Sequence, residues 1–297
     1  MADQATIYEQ VTARIIEQLE KGVVPWRRPW ATVGGGMSLN VVSDKPYRGV
    51  NVWLLSLAAE ANGWDSNLYG TFGQWRDLGG YVRRGQHGTR IVYWHVETVQ
   101  EDQQEKRRFF CRTYIVFNLD QCGGAALDSY REKSQKIDVF PDFGPAEQAI
   151  AATKARIIYG GSQAFYSTDT DHIALPYKEC FDQPEDYYST ALHELAHWTG
   201  HSSRLDRLNT LARFGDNDYA IEELVAEMAS SFLTATLGIR NSAAQERSAS
   251  YVANWLDVLK NDRRALFSAS SAASKASDFV LAFSRETAVQ EAEPCNH

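Results

Sequence analysis

Apolar residues change their spacing along the chain, and the change separates helical from extended parts. The first four are spaced four apart and end before Gly22, which is typical of an amphipathic helix closed by glycine: Ile7, Val11, Ile15 and Leu19. Two further helices are predicted, at 51–63 (NVWLLSLAAEANG) and at 71–80 (TFGQWRDLGG). Thr71 can cap the start of the second of these, and Gly79 can end it.

In the next part of the chain the pattern of apolar residues is that of strands rather than helices. The segments 90–100 (RIVYWHVETVQ) and 107–119 (RRFFCRTYIVFNL) are rich in β-branched and aromatic residues, and they flank the charged stretch EDQQEK. That composition predicts an antiparallel hairpin. The next residues, 121–145, are rich in Gly, Ser, Asp and Lys and show no clear period, which is typical of a linker.

The second half is predicted to be mainly helical. It is expected to contain a helix over 145–159, short strands in QAFYST and DHIALP, and helices from Asp186 to about Phe283. The expected fold class is therefore α+β with two domains. They are a small α/β domain with an antiparallel hairpin or sheet (1–130), a linker (131–144), a mainly helical domain with a short sheet (145–287) and a flexible polar tail (288–297).

The net charge of −8 conceals a basic segment. Residues 21–94 contain nine Lys or Arg against four Asp or Glu, a balance of +5, so the rest of the chain carries −13. A basic surface on an acidic protein favours an anionic partner. The sequence has no secretory signal, no apolar run of about 18 residues and no C-x-x-C pair. We therefore expect a cytoplasmic protein that does not bind membranes and has neither a disulfide framework nor a thiolate zinc site.

The clearest chemical motif is His-Glu-Leu-Ala-His at 193–197. On a helix, His193 and His197 share a face and can direct ring nitrogens at one ion, while Glu194 is rotated by about a quarter turn and can reach a water on that ion. Because the ion lowers the pKa of its water towards about 7, Glu194 is the candidate catalytic base. The expected ion is Zn²⁺, or another divalent transition metal such as Mn²⁺ or Co²⁺.

A catalytic zinc site needs a third protein ligand, and two patterns compete for it. The extended motif H-E-x-x-H-x-x-G-x-x-H is disfavoured, because Gly200 fits it but Ser203 stands where the third histidine should be. A later helix, YAIEELVAEMASSFL, offers Glu222, Glu223 and Glu227. Glu223 and Glu227 share a face and resemble the E-x-x-x-D/E element of glutamate-type zincins. We assign Glu223 to the metal and Glu227 to the support of a ligand histidine, with the exchange of these roles as the alternative.

Aromatic residues lie among the basic ones between Trp26 and Trp94. Aromatics that stack on bases, set among cations that follow phosphates, are used in sequence-independent binding of single strands. Large aromatics also build cores, and Trp53 and Trp75 are expected there because they lie among leucines on predicted helices. The candidate DNA-binding residues are Trp26, Arg27, Arg28, Trp30, Lys45, Tyr47, Arg48, Arg83 and Arg84.

The order of these segments resembles a known family. PWRRPW, KPYRGVNVWLL and TFGQWRDLGGYVRRGQHGTRIVYW, followed by HELAHWTGH and EELVAE, are similar to the ArdC antirestriction proteins of conjugative plasmids over nearly the whole chain. Relatives of the N-terminal segment also occur in plasmid primases. The resemblance implies an N-terminal domain that binds single-stranded DNA without sequence preference and a C-terminal zincin-like metallopeptidase domain. It also implies protection of incoming plasmid DNA from restriction, with a host protein as the candidate substrate.

Two other functions are compatible with the same residues. The metal site could be purely structural in a DNA-binding protein, in which case Glu194→Gln would be tolerated. A nuclease is disfavoured, because nucleases usually gather several carboxylates around magnesium, whereas a His/His/Glu shell suits amide hydrolysis.

Overall fold

The protein has an α+β fold with two compact units, as the sequence predicts. The computed structural model describes residues 4–26, 37–101, 104–135, 143–208, 217–239 and 249–292. Of these, unit one contains 4–11, 37–101 and 104–135, and unit two contains the others. The expected boundary therefore needs one correction, because residues 12–26 belong to unit two and not to the N-terminal domain.

The first helix is divided between the units, and the other elements of unit one follow it along the chain. They are α1 (Gln4–Glu20), β1 (Leu39–Asn40), α2 (Val50–Asn62), β2 (Leu68–Thr71), α3 (Phe72–Asp77), β3 (Tyr81–Val82), β4 (Thr89–Glu101), β5 (Gln104–Asn118), β6 (Cys122–Gly123) and α4 (Asp128–Gln135). The predicted helices and the predicted hairpin are confirmed. The hairpin pairs Thr89 with Val116 at one end and Glu101 with Gln104 at the other.

The main sheet of unit one has the strand order β1-β2-β5-β4, with only β1 and β2 parallel to each other. Helix α2 packs on it through Leu55, which forms a buried cluster with Tyr69, Ile91 and Val116. The helix also covers part of the β4 edge. Asn51 accepts a hydrogen bond from the backbone N–H of Val92 and donates one to its carbonyl, both at 2.7 Å, so these backbone groups are paired as a neighbouring strand would pair them.

Helix α3 begins with the predicted cap and carries the aromatic core of unit one. Thr71 and Gln74 form a reciprocal capping box. Trp75 is fully buried and donates from Nε1 to the Phe117 carbonyl at 2.9 Å. Its ring lies over Gly70, where a Cβ would be 3.1 Å from the indole, so this glycine is needed for close approach. The predicted burial of Trp75 is confirmed.

Unit two contains the second half of α1, four further helices of the C-terminal region, the short helix α5 and a small sheet. The elements after α4 are α5 (Gly144–Ala152), β7 (Ile157–Tyr159), β8 (Phe165–Ser167), β9 (His172–Leu175), α6 (Pro184–Thr199), α7 (Asn217–Thr236), α8 (Ala249–Asn261) and α9 (Ala265–Ala292). The sheet order is β7-β9-β8, so β8 is an edge strand. A buried cluster that includes Leu192, Leu195, Leu233 and Val280 joins α6, α7 and α9.

Three predicted segments differ from the structure. The helix expected over 145–159 ends at Ala152, because Ile157–Tyr159 forms a strand that pairs in parallel with β9. The expected linker, 131–144, begins inside α4, which extends to Gln135. The expected tail begins inside α9, which extends to Ala292. No described helix combines the length and the apolar character needed to cross a membrane.

Candidate metal centre

Helix α6 positions the motif histidines. It begins with Pro184, followed by Glu185 and Asp186, which favour a helix N-terminus. Leu192 and Leu195 are buried in the core of unit two, whereas His193 and His197 are only partly covered. The amphipathic pattern of the helix therefore turns the two imidazoles towards the adjacent cleft.

The structure brings together His193, His197 and Glu223, whose ligand atoms lie within 4.8 Å of one another. The two Nε2 atoms are 3.2 Å apart, and the Glu223 carboxylate lies 3.7 Å from Nε2 of His193 and 3.5 Å from Nε2 of His197. Tetrahedral ligands at the usual zinc distances are about 3.4 Å apart. The three donors therefore fit around a single divalent ion of this size.

Glu194 and Glu227 line the same cleft. Glu194 is buried, with 5% of its surface exposed, and follows directly on ligand candidate His193. Glu227, which the sequence predicted to support a ligand histidine, acts on His193 through its charge. A second carboxylate, Glu222, is hydrogen-bonded to His197, with 3.2 Å between Oε1 and Nδ1.

The charges of the centre suit a cation. Burial lowers the pKa of His193, but the nearby Glu223 carboxylate and the charges of Glu194 and Glu227 outweigh it and raise this pKa to about 9. Burial raises the pKa of Glu223, but its contact with His193 and the charges of both histidines lower it to about 2. Glu223 is therefore ionised at neutral pH, as a metal ligand must be.

Two residues of the centre were not predicted from the sequence. Glu222 was one of three acidic candidates but was given no role, and Arg207 was not among the candidates. Arg207 forms an ion pair with Glu222, with 2.8 Å between Nε and Oε2. A signal existed in the sequence, since consecutive residues on a helix point about 100° apart. A Glu-Glu pair can therefore present one carboxylate to the metal side of a histidine and one to its other side.

The cleft extends from the candidate centre to the edge strand β8. Its volume is about 1350 Å³, and Phe165 and Tyr166 of β8 are among the lining residues. Arg204 fixes this edge to the end of α6. Its guanidinium bonds the Tyr166 hydroxyl, the Asp171 carboxylate and the Trp198 carbonyl. The hydrogen bonds from Arg204 lower the pKa of Asp171 to about 2, so the pair remains charged at neutral pH.

The structure corrects one of the predicted DNA-binding residues. Trp26 is only 1% exposed, and its ring packs edge-on against Trp255 at 5.4 Å within unit two. A base cannot stack on a ring that is covered in this way. Tyr47 is half-buried beside Tyr69, with ring centroids 6.3 Å apart.

The other predicted DNA-binding residues divide into two groups. Lys45, Arg48, Arg83 and Arg84 are exposed on unit one. Arg27, Arg28 and Trp30 lie outside the described residues.

Exposed aromatics that the sequence did not single out lie on the hairpin. Tyr93 and Tyr114 are 52% and 42% exposed, and their rings meet edge to face at 6.1 Å. Tyr93 pairs with Arg112, which is also exposed and lies two residues before Tyr114. Because paired residues and alternate residues share a face of a sheet, these three side chains form one patch, the Tyr93–Arg112–Tyr114 patch.

Comparison with known proteins gives a separate family match for each half of the chain. Residues 5–117 match the N-terminal domain of anti-restriction factor ArdC, and residues 144–272 match a zincin-like metallopeptidase domain. An uncharacterized protein of Sinorhizobium fredii, y4eC, is 37% identical over an alignment of 290 positions, and the alignment covers 93% of this chain and 92% of that protein. The DNA primase TraC of Escherichia coli is 37% identical over an alignment of 316 positions, gaps included, and the alignment covers 97% of this chain but only 28% of TraC.

Two solved structures are similar over almost the full chain. Metal-free ArdC of plasmid R388 has a TM-score of 0.79 and 36% identity, with 94% of this chain and 98% of that chain covered. Mn(II)-bound ArdC of the same plasmid has a TM-score of 0.78 and 34% identity, with 95% and 98% covered. The fold and the domain matches define a two-domain protein with a zincin-like C-terminal domain. The chain belongs to the ArdC family of antirestriction proteins.

Proposed function

We propose that unit one binds single-stranded DNA without sequence preference and that unit two is a metal-dependent peptidase. Together they would protect incoming plasmid DNA from host restriction in the cytoplasm of the recipient cell during conjugation. The observation that carries the peptidase assignment is the convergence of His193, His197 and Glu223 beside Glu194 in one cleft. The ArdC match of the N-terminal region supports DNA binding. So do the exposed cations of unit one, Lys45, Arg48, Arg83 and Arg84.

The exposed residues of unit one suit binding to DNA phosphates and base faces rather than recognition of a specific base sequence. Arg83 and Arg84 lie in an exposed turn that continues into Gly85, which has φ 81°. Exposed arginines in such a turn can contact phosphates, and phosphate contacts carry no sequence information. The exposed tyrosines of the Tyr93–Arg112–Tyr114 patch can stack on any base, because every base has a π face.

Changing Arg83 and Arg84 together to Ala is expected to weaken the binding of single-stranded DNA of every sequence by a similar factor. The dependence of log K on log salt should flatten by about 0.7 for each phosphate contact that is lost. Fluorescence anisotropy with labelled oligonucleotides of several sequences, each titrated at several salt concentrations, measures both quantities. An unchanged salt dependence, or a change in sequence preference, would contradict the role given to these arginines.

The variant Tyr93→Ala, Tyr114→Ala is the companion of that experiment. It removes stacking surface without removing charge, so affinity should fall by about 1–3 kcal/mol for each base that stacks, while the salt dependence stays as in the wild type. Equal affinity of this variant and the wild type would exclude the Tyr93–Arg112–Tyr114 patch from the DNA interface. The variant Arg83→Ala, Arg84→Ala would still test DNA binding by the rest of unit one.

The metal proposed for unit two is Zn²⁺, with Mn²⁺ or Co²⁺ as alternatives. Two imidazoles and a carboxylate bind any of these ions, and R388 ArdC has been solved with Mn(II). When bound, the ion would supply Lewis acidity in the cleft. Glu194 would accept a proton from the water that attacks the peptide carbonyl and would return it to the amine that leaves when the C–N bond breaks. The edge strand β8 would bind an extended substrate peptide by adding it to the sheet.

Glu194→Gln is expected to abolish proteolysis in recipient cells and to leave the metal in place. The amide cannot accept the proton, and loss of a general base typically costs about 10²–10⁴-fold in rate. Quantitative analysis of new protein N-termini, in recipient cells that carry wild type or Glu194→Gln, would detect the difference. Cleavage products present with both proteins would exclude peptidase activity at this site.

The same variant decides between the peptidase and the alternative, a DNA-binding protein with a purely structural metal. The efficiency of plasmid transfer into a restricting recipient is the measurement. If protection needs proteolysis, the plasmid should be transferred as inefficiently with Glu194→Gln as it is without the protein. If the metal is structural, Glu194→Gln should protect as well as the wild type, whereas variants that lose the metal should not.

A further inference from the structure

The two ring nitrogens of His197 face carboxylates from neighbouring positions of α7. Nε2 faces His193 and lies 3.5 Å from Glu223, on the side where the ion is proposed. Nδ1 lies 3.2 Å from Oε1 of Glu222, on the other side of the ring. A histidine that binds a metal through Nε2 must keep its proton on Nδ1, and it needs an acceptor for that proton. Glu222 is in the position of this acceptor.

Arg207 holds the Glu222 carboxylate by two parallel contacts. Its Nε donates to Oε2 at 2.8 Å, and its Nη2 donates to Oε1 at 2.9 Å. The side chains of His197, Glu222 and Arg207 are only 12%, 13% and 14% exposed. A bidentate pair at such low exposure has a fixed direction as well as a favourable charge. Glu222 can therefore hold the imidazole in one orientation.

The guanidinium is also attached to the end of the helix that carries the histidines. Arg207 donates from Nη2 to the Ala196 carbonyl at 2.7 Å and from Nη1 to the Thr199 hydroxyl at 3.0 Å. This contact is close to Gly200. A Cβ there would lie 2.8 Å from Cγ of Leu208, 3.0 Å from Nη2 of Arg207 and 3.1 Å from its Cζ, so a larger residue would displace Leu208 and press on the guanidinium.

We propose that Glu222 and Arg207 are the positioning residues of the metal centre, in which Glu222 accepts the Nδ1 proton of His197 and Arg207 fixes Glu222. This inference rests on the proposed metal site and assigns to Glu222 the support of His197, a role that the sequence pattern did not give it. In the neutral imidazole, a proton held on Nδ1 leaves the lone pair on Nε2, and the Glu222–Arg207 pair directs that nitrogen at the ion. Mutation of residues that support a metal ligand in this way usually lowers the metal affinity by about 10–100-fold.

The test is the affinity of the full chain for Mn²⁺ and for Zn²⁺, measured by competition with a chelator. Glu222→Ala should raise the Kd by about 10–100-fold. Arg207→Ala should raise it in the same direction, and Arg207→Lys should recover only part of the loss, because an ammonium cannot make the two parallel contacts. Gly200→Ala should also weaken binding, through the displacement of Arg207.

The matched control is Arg204→Ala. It breaks another arginine–carboxylate pair of unit two, in which the Arg204 side chain is 11% and the Asp171 side chain 40% exposed. The Arg204 guanidinium bonds Asp171, Tyr166 and the Trp198 carbonyl, and none of these is one of the three ligand candidates. The thermal stability of Arg204→Ala should fall while its metal affinity stays within about twofold of the wild type. If Glu222→Ala and Arg204→Ala both leave the Kd unchanged, the Glu222–Arg207 pair is structural only and the inference is wrong.

A second measurement covers the case in which Glu222→Ala does not fold. In zinc-loaded protein with ¹⁵N-labelled histidine, NMR should show His197 protonated at Nδ1 in the wild type. Glu222→Gln should weaken this hydrogen bond and shift the Nδ1 resonance. An unshifted Nδ1 resonance in Glu222→Gln would overturn the inference. If instead the wild type binds no ion, or binds it equally well without His193 and His197, the proposed metal site itself fails, which is a separate result.

Discussion

The double variant His193→Ala, His197→Ala is expected to lose the divalent ion completely and, with it, the stabilisation that the ion gives. An ion that binds only the folded protein stabilises it by about 2.7 kcal/mol when present at 100 times its Kd. For a unit of this size, that corresponds to a rise in melting temperature of about 5–10 °C. The double variant should show no rise. Metal analysis and calorimetry, each with and without added Zn²⁺ or Mn²⁺, measure these effects.

The comparison must use the increment caused by the metal, because the substitutions also act on the metal-free protein. Removing both histidines leaves Glu223, which is 6% exposed, without its imidazole partners. A buried group that loses its partner costs about 1–3 kcal/mol or more. The melting temperature of the metal-free double variant is therefore expected to be lower than that of the metal-free wild type. Glu194→Gln is the control and should keep the full increment.

The same increment, which is the rise in melting temperature on metal binding, distinguishes the two candidate third ligands. Glu223→Gln should remove most of it, because Glu223 is the carboxylate that lies 3.5 Å from Nε2 of His197. Glu227→Gln should keep most of it. The opposite result would exchange the roles of the two carboxylates and leave the histidines as ligands. An equal metal increment in the double histidine variant and the wild type would exclude this site altogether.

Trp75→Ala is expected to destabilise unit one by about 3–5 kcal/mol, the usual cost of removing a buried large aromatic. Trp75 has no exposed surface, packs in a cluster with Val41, Leu119 and Leu127, and bonds the Phe117 carbonyl. The variant would leave a cavity and a carbonyl without its hydrogen bond. The effect is a large fraction of the about 5–15 kcal/mol that stabilises a typical domain. Urea titration followed by near-ultraviolet circular dichroism measures it.

Phe72→Ala is the matched control for this experiment. Phe72 lies on the same short helix as Trp75 but is 56% exposed, so its removal should change the free energy of unfolding by about 0.5 kcal/mol or less. Equal effects of the two variants would mean that Trp75 does not support the core in the way the structure indicates.

The sequence by itself determined the features that depend on near neighbours along the chain. His193 and His197 share a face because the backbone geometry of any α-helix places residues four apart on one side. The cap at Thr71 and the hairpin of β4 and β5 were also predicted, because a helix cap and a hairpin join residues that are near in the chain. The order of the motifs also sufficed to identify the family.

The tertiary structure decided which of several equivalent residues face each other. Glu222, Glu223 and Glu227 lie on one helix, and only the packing of α7 against α6 selects the carboxylate that meets each imidazole nitrogen. The segment Ile157–Tyr159 forms a strand because its backbone pairs with that of β9.

The same reason applies to Trp26. An aromatic among arginines is equally compatible with a stacking surface and with a core, and its contact with Trp255 of α8 decides for the core. Such contacts join residues far apart in the chain, so no local pattern contains them. Their outcome depends on how whole helices and strands pack, which is fixed only when the complete core forms.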